Sequence, residues 1–369
     1  MDQSIRKHIV ISAVNVRKGG TLTVLRDCLD YLSSRDDIRV TALVHNKKLC
    51  NIDGIEYIEI PWSIRSWVLR LWCEYVTMGK ISRSLQPVDL WFSLHDTTPR
   101  VIAQRQAVYC HTSFPFMTPT LRDIMMDYKI PLFSLFTRYA YTINVRRNKY
   151  LVVQQEWMRQ ALSELIRFPK HRIIVAPPVI NPLTVSVAIE NDSPPLFIYP
   201  ATADCHKNIE AVCEAARILT KEIGDDKFKL ALTVKGKENR YARWLYSKYG
   251  DDNNIDFMGI VPRDELFKIY NKSTCLVFAS RVESWGLPIS EYLPTRKPMI
   301  LADIAYSHEA AAGAVKVAIC TPKPSEISSL MKNVVENDYR KFGPVPTKSI
   351  DAPFVHGWEE LLNFLLKTK

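Results

Sequence analysis

The stretch Thr274-Cys275-Leu276-Val277-Phe278-Ala279-Ser280-Arg281-Val282-Glu283-Ser284-Trp285-Gly286-Leu287-Pro288-Ile289-Ser290-Glu291 sets a short apolar run against a polar turn and then a helix-period segment. An apolar run of this length, bounded by turn residues, reads as a strand buried on both faces, the kind found in parallel sheets covered by helices. Gly286 lets the backbone approach a ligand closely, and Pro288 suits the first turn of a helix. Glu283 in the turn and Glu291 on the helix stand where open parallel sheets hold their ligands, beyond the carboxyl ends of strands. Amides at the helix start suit a phosphate, and Glu291 is placed to accept paired hydrogen bonds from vicinal hydroxyls such as those of a ribose.

The same alternation of strand and helix runs outward on both sides. The N-terminal half reads as strands near His8–Val14, Arg39–Val44, Glu56–Ile60, Val88–Leu94, Ala107–Cys110 and Tyr150–Val153, with helices at Thr21–Ser34, Ser66–Ser84, Leu132–Val145 and Glu156–Ile166. An aperiodic stretch with Pro177, Pro178, Pro182, Pro194 and Pro195 then reads as a linker. Beyond it, strands fall near Leu196–Tyr199, Lys229–Val234, Asp256–Gly259, Thr274–Ala279, Met299–Ala302 and Val315–Ile319. Helices separate them at Asn208–Ile223, Asn239–Tyr249, Arg263–Asn271, Leu287–Leu293 and Ser325–Glu336, and a last amphipathic segment covers Val355–Leu366. A chain of 369 residues is long for one core. The expected fold class is α/β, with two Rossmann-like doubly wound domains facing a central cleft: residues 1–180, a linker over 181–195, residues 196–350, and a C-terminal helix in 351–369.

From Glu283 onward the sequence resembles the retaining glycosyltransferases of family 4 (glycosyl transferases group 1), whose C-terminal domains carry a Glu, seven residues and a second Glu around a Gly-Leu-Pro turn. The likeness continues through Tyr292-Leu293-Pro294-Thr295-Arg296-Lys297-Pro298-Met299-Ile300-Leu301-Ala302-Asp303, and Tyr306-Ser307-His308-Glu309 resembles a family helix beside the site. It covers Leu196 to about Ala314 well and is thinner in the first domain. The resemblance implies the GT-B fold, with an acceptor-binding N-terminal domain, a nucleotide-sugar-binding C-terminal domain and a C-terminal helix crossing back to the first. It further implies retaining transfer of a hexose-type sugar with no metal and no other cofactor. Carried over residue by residue, Glu291 holds the ribose, Glu283 approaches the donor sugar, and the amides of Gly286 and Leu287 lie against the diphosphate. Ser284 departs from the glycine that usually follows the first Glu.

Three further segments bear on the same chemistry. Lys207, in Cys205-His206-Lys207-Asn208 after a strand, reads as a solvated surface lysine or as a point charge for a departing diphosphate, and the family has a phosphate-binding lysine in such a segment. Thr202 stands where many members carry an arginine, with Arg281 or Lys235 as substitutes. Gly19, Gly20 and Thr21, at a strand-to-helix turn, read as a tight turn or as the family's glycine-rich approach to the donor phosphates. His111, just past a strand, is a structural residue or one that positions a sugar hydroxyl, as a similar family histidine does.

The formal charge of +10 is one-sided: residues 1–180 hold 25 Lys and Arg against 15 Asp and Glu, whereas residues 181–369 hold 24 of each. Such a field attracts anionic partners. Trp62–Leu85 interleaves Trp62, Trp67, Trp72 and Tyr75 with Arg65, Arg70, Lys80 and Arg83, which suits either a core-packed helix or one lying on an anionic bilayer. The eight cysteines form no C-x-x-C pair and read as reduced, and the N-terminal residues lack the apolar region of a signal peptide. The expected location is cytoplasmic, with peripheral contact on the inner membrane and a saccharide or lipid-linked acceptor in surface polysaccharide biosynthesis. No Asp-x-Asp, Walker lysine loop, H-E-x-x-H or G-x-S-x-G occurs, and no nucleic-acid-binding motif. The rival readings are a GT-B sugar-nucleotide epimerase and a non-catalytic binding protein on a degenerate GT-B fold.

Overall fold

The computed structural model describes residues 6–17, 19–179 and 193–367, so most of the expected linker over 181–195 lies outside the described residues. In chain order the first half comprises β1 (Lys7–Ser12), α1 (Gly20–Ser33), β2 (Ile38–Val44), β3 (Glu56–Glu59), α2 (Trp67–Trp72), α3 (Met78–Ser84), β4 (Leu90–Ser93) and β5 (Arg105–Tyr109). These are followed by α4 (Leu121–Met126), α5 (Lys129–Ala140), β6 (Tyr150–Val153), α6 (Glu156–Ile166) and β7 (Ile173–Val175). The second half comprises β8 (Leu196–Tyr199), α7 (Ile209–Ile223), β9 (Lys229–Leu232), α8 (Arg240–Tyr249), β10 (Ile255–Phe257), α9 (Arg263–Lys272) and β11 (Cys275–Phe278). The chain ends with α10 (Leu287–Tyr292), β12 (Met299–Ala302), α11 (Ala305–Ala310), β13 (Val317–Cys320), α12 (Pro324–Val335) and α13 (Gly357–Lys367).

Two units result: Met1–Pro115 with Phe136–Val179 and Ile350–Lys369, and Phe116–Leu135 with Ile180–Ser349. The stretch Phe116–Leu135 therefore clusters with the second unit although its place in the chain is inside the first. Its anchor is Asp123 on α4, which caps its own helix through Thr120 and is ion-paired with Arg281. Burial works against the Asp123 carboxylate, but Arg281 and Thr120 outweigh it and hold the group below its ordinary range. Arg122 adds a bond to Glu210 at 2.6 Å and lies over the Trp244 ring at 5.2 Å.

The first unit is built on a parallel seven-stranded sheet in the order β3-β2-β1-β4-β5-β6-β7. Its strands are apolar on both faces because helices cover both, and β4 is buried at all four positions. Leu361, Leu362, Leu365 and Leu366 of α13 close the same core as Leu25, Leu29 and Leu32 of α1. The helix expected over Ser66–Ser84 is interrupted at Cys73–Thr77 by a π turn, where Glu74 is buried. Such a turn adds a residue per winding and redirects the side chains after it.

The second sheet has six parallel strands in the order β10-β9-β8-β11-β12-β13. In both sheets the chain starts in the middle, winds to one edge, then returns and winds to the other. The reversal falls between β1 and β4 in the first unit and between β8 and β11 in the second. At such a switch point adjacent connections diverge to opposite faces and leave a crevice at the carboxyl ends.

Further features differ from the sequence reading, which had no counterpart of α4. Strand β7 was not expected, because three apolar residues next to prolines carry little period. Helix α5 forms near its expected place and buries its small side: Ser134, Thr137 and Ala140 are buried, while Leu132, Leu135, Phe136 and Tyr139 are exposed. Apolar spacing fixes a helix, whereas the small residues fix which side fits against the protein.

Candidate active site

In the second unit, the loops after β8 and β11 meet at the switch point. Arg281 N–H donates to the His206 carbonyl at 2.7 Å and Ser280 Oγ donates to the same carbonyl at 3.4 Å. Tyr199, at the end of β8, donates its hydroxyl to the Lys207 carbonyl. This backbone stitching brings Lys207 Nζ to 2.5 Å from Glu283 Oε1, with both side chains 15% exposed. Two opposite charges at this depth attract strongly enough to hold each other in place while retaining access to solvent.

Gly286 takes the left-handed conformation at φ 89° and starts α10, with Pro288 in the first turn. A Cβ there would be strained by the dihedral and would meet Tyr306 Cδ2 at 3.2 Å and Ile289 Cδ1 at 3.3 Å, so those side chains would have to give way by a few tenths of an ångström. Tyr306 is held by its hydroxyl on the Ser280 carbonyl at 2.7 Å, which ties α11 to the same loop. Leu287 opens α10, and Glu291 lies one turn on, its Oε1 3.2 Å from Arg263 and its Oε2 accepting from the Tyr270 hydroxyl at 3.4 Å. Burial pushes the Glu291 carboxyl above its ordinary value against the pull of Arg263 and Tyr270. The two glutamates are thus each held by a different partner set, one by the loop after β8 and one by α9.

The two suggested replacements for the absent arginine lie in different settings. Arg281 is engaged by Asp123 and the Cys205 carbonyl. Lys235 is exposed beyond β9, on the far side of β8 from β11. Thr202 donates its hydroxyl to Asp204 at 2.6 Å. His206 is buried, and burial depresses its pKa well below the ordinary histidine value.

In the first unit, Gly19 precedes α1 with φ 69°, Gly20 is the first residue of that helix and Thr21 follows it. The neighbouring loop after β4 holds groups that sequence reasoning missed. Asp96, at φ 69°, accepts through Oδ1 from the amides of His111 at 2.6 Å and Thr112 at 2.9 Å and from the Tyr141 hydroxyl at 2.9 Å. It therefore sets the turn that carries His111. The His111 ring stacks on Tyr109 with centroids 4.3 Å apart, and its buried Nε2 has no hydrogen-bond partner among the described residues. Burial lowers its pKa to about 4, so the ring is neutral near pH 7.

His95 links the end of β1 to the π turn. Its ring bonds Ser12 Oγ at 2.8 Å and Thr97 Oγ1 at 2.9 Å, while Glu74 accepts from Thr97 at 2.6 Å and from Arg70 Nε at 2.8 Å. The signal available in the sequence was Ser93-Leu94-His95-Asp96 directly after an apolar strand, a polar cluster at a strand's carboxyl end. Among the described residues no group of three or more His, Cys, Asp or Glu side chains is arranged to hold a metal ion, and no helix is long and apolar enough to cross a membrane. All eight cysteines are free, and seven are buried.

Comparison with known proteins agrees with this architecture. The chain is 24% identical over 219 residues to the O-antigen chain mannosyltransferase RfbU of Salmonella typhimurium, a match spanning 58% of this chain and only 56% of that protein. WaaG, a glycosyltransferase involved in lipopolysaccharide biosynthesis, superposes with a TM-score of 0.66 at 14% identity, covering 89% of this chain and 90% of its own. Anabaena HepE in complex with UDP-glucose superposes at 0.61 with 12% identity, covering 90% and 91%. Residues 186–343 match the family of glycosyl transferases group 1. The residues that match this family fall in the second unit, and the chain as a whole has the GT-B fold.

Proposed function

We propose that this protein is a glycosyltransferase that takes a sugar from a nucleotide-sugar donor held at the β8/β11 switch point and transfers it to a saccharide acceptor. The observation that carries the proposal is the Lys207–Glu283 pair at 2.5 Å, formed by loops from the two strands that flank the switch. Glu291 receives the ribose hydroxyls of the donor and Glu283 approaches its sugar. As the bond from the anomeric carbon to the diphosphate breaks, negative charge grows on the departing nucleoside diphosphate. Lys207 stabilises that charge, with the amides of Gly286 and Leu287 alongside. The acceptor hydroxyl forms the new bond, and its proton leaves on the departing phosphate, so neither His111 nor a metal is needed as base. Transfer with retention of configuration follows by family analogy. By family analogy alone, His111 and the turn at Gly19 and Gly20 are assigned to positioning the sugar and phosphates.

The likeness to an O-antigen mannosyltransferase supports a role in surface polysaccharide assembly, with a lipid-linked acceptor. Peripheral contact of this cytoplasmic enzyme with an anionic membrane is supported by α2, where Trp67, Val68 and Trp72 are exposed and Trp67 packs edge-on against Phe136 with centroids 5.8 Å apart. A thermal-shift screen of UDP- and GDP-sugars, followed by a transfer assay, tests the reading. A donor at 100 times its Kd adds about 2.7 kcal/mol of stability. Failure of every nucleotide sugar to bind, or binding indifferent to Lys207→Ala and Glu291→Ala, sinks it.

A further inference from the structure

At the opposite end of the first sheet from its switch point, the amino ends of β5, β6 and β7 border an open cavity of about 620 Å³ lined by Arg105, Arg147, Lys149, His171 and Arg172 among others. A second cavity of about 530 Å³ shares Arg147 and adds Arg100 and Arg146. No carboxylate is among the residues lining either one. Like charges gathered around a concavity repel one another, and low-dielectric walls focus their field onto whatever enters.

The cationic groups are also held in place. Arg147 donates to the Val101 carbonyl at 2.9 Å, and Arg172 donates to the Lys149 carbonyl at 2.9 Å while its guanidinium lies 4.8 Å from the Phe168 ring centre. Asn148, fully buried, lines the same cavity. Its amide nitrogen is spent on Thr98 and Val145, and its Oδ1 has no hydrogen-bond partner among the described residues.

We propose that this cavity, at the amino ends of the first sheet, is a binding site for a small phosphate-bearing anion. Its dimensions suit a small molecule. The exposed tryptophans of α2 lie at the other end of the sheet, where Arg70 of that helix donates to the His95 carbonyl at 3.3 Å. A bilayer met there leaves the basic cavity facing water, which favours a soluble ligand over a headgroup. The inference does not depend on the transferase reading.

The test is calorimetric titration of the intact chain with inorganic pyrophosphate, comparing the parent with Arg105→Gln/Lys149→Gln, with the charge-matched pair Lys47→Gln/Lys48→Gln, and with Lys207→Ala. The cavity variant is expected to weaken one class of pyrophosphate site about tenfold or more, with little change in the charge-matched pair and none at that site in Lys207→Ala. If the cavity variant loses its cooperative melt, Arg147→Gln, at an exposed position lining the cavity, is compared with Lys47→Gln in the same way. Sedimentation with vesicles containing phosphatidylglycerol separates the sources. Vesicle binding that the cavity variant loses and pyrophosphate displaces makes the phosphate a lipid's, and pyrophosphate binding without it makes the ligand soluble. No pyrophosphate binding, binding lost only in Lys207→Ala, or equal weakening in both double variants overturns the site.

Discussion

Lys207 and Glu283 are 76 positions apart in the chain, and their charged atoms meet because β8 and β11 are neighbours whose loops are tied together where the Arg281 amide and the Ser280 hydroxyl donate to the His206 carbonyl. Lys207→Ala is expected to reduce turnover about a hundred- to a thousandfold, as for loss of a group that stabilises developing charge. Glu283→Gln keeps the side-chain volume and is expected to lower turnover while leaving the fold intact. Transfer assays paired with urea denaturation separate these effects, since leaving Glu283 without its cation costs about 1–3 kcal/mol of stability.

Glu291→Ala is expected to weaken donor binding by roughly 1–3 kcal/mol, because ribose hydroxyls lose a paired acceptor. Arg263, its partner, is half exposed and solvates readily, so the melting temperature changes little. The Glu291 carboxyl lies above its ordinary value through burial, so it protonates at a higher pH than an exposed glutamate. Donor affinity measured by titration therefore falls on acidification before the ordinary carboxylate range is reached. Glu291→Gln removes that dependence.

His111 binds its proton with a pKa of about 4 when folded, against 6.5 in the open chain. The unfolded state holds more protons between those values, so stability rises with pH across that window and is lost as pH falls through it. The contribution is on the order of 3 kcal/mol when complete. His95, His45 and His206 are depressed in the same direction, and the measurable quantity is the difference between parent and His111→Asn. Denaturation midpoints of the variant should vary less between pH 4 and pH 6.5.

Gly286→Ala and Gly19→Ala distinguish backbone strain from crowding. Both positions have positive φ, but a Cβ at Gly19 meets nothing within 4 Å, whereas at Gly286 it meets Tyr306. Gly19→Ala, at φ 69° and ψ −158°, is expected to cost about 1–3 kcal/mol through backbone strain alone, and Gly286→Ala to combine a similar cost with a loss of donor binding. Donor binding unchanged in Gly286→Ala would contradict this.

Turnover in the presence of EDTA should equal that without it, since the proposed stabilisation of the departing diphosphate comes from Lys207 and backbone amides. Abolition of transfer by the chelator, with recovery on adding a divalent cation, contradicts metal independence.

The alternation of apolar runs and helical periods is a local property, and it located most strands and helices to within a few residues. The motif from Glu283 to Glu291 was legible for the same reason, since its glycine, proline and carboxylates lie within one turn and one short helix. Asp96 and Glu74 were not legible. Asp96 matters because it receives the amides of the loop after β5 and the hydroxyl of Tyr141, and Glu74 because a π turn carries it to Thr97 and Arg70. Neither contact leaves a trace in spacing along the chain.

The sequence by itself determined two doubly wound sheets and a transferase-like loop, because hydrophobic period and turn chemistry act between near neighbours. Tertiary structure alone decided that Arg281 serves Asp123, that α5 faces outward with its large residues, and that Arg105, Lys149 and Arg172 share one basin. Those outcomes depend on which strands become neighbours and on which side chains then compete for the same partner. Strand order is settled by packing across the whole sheet.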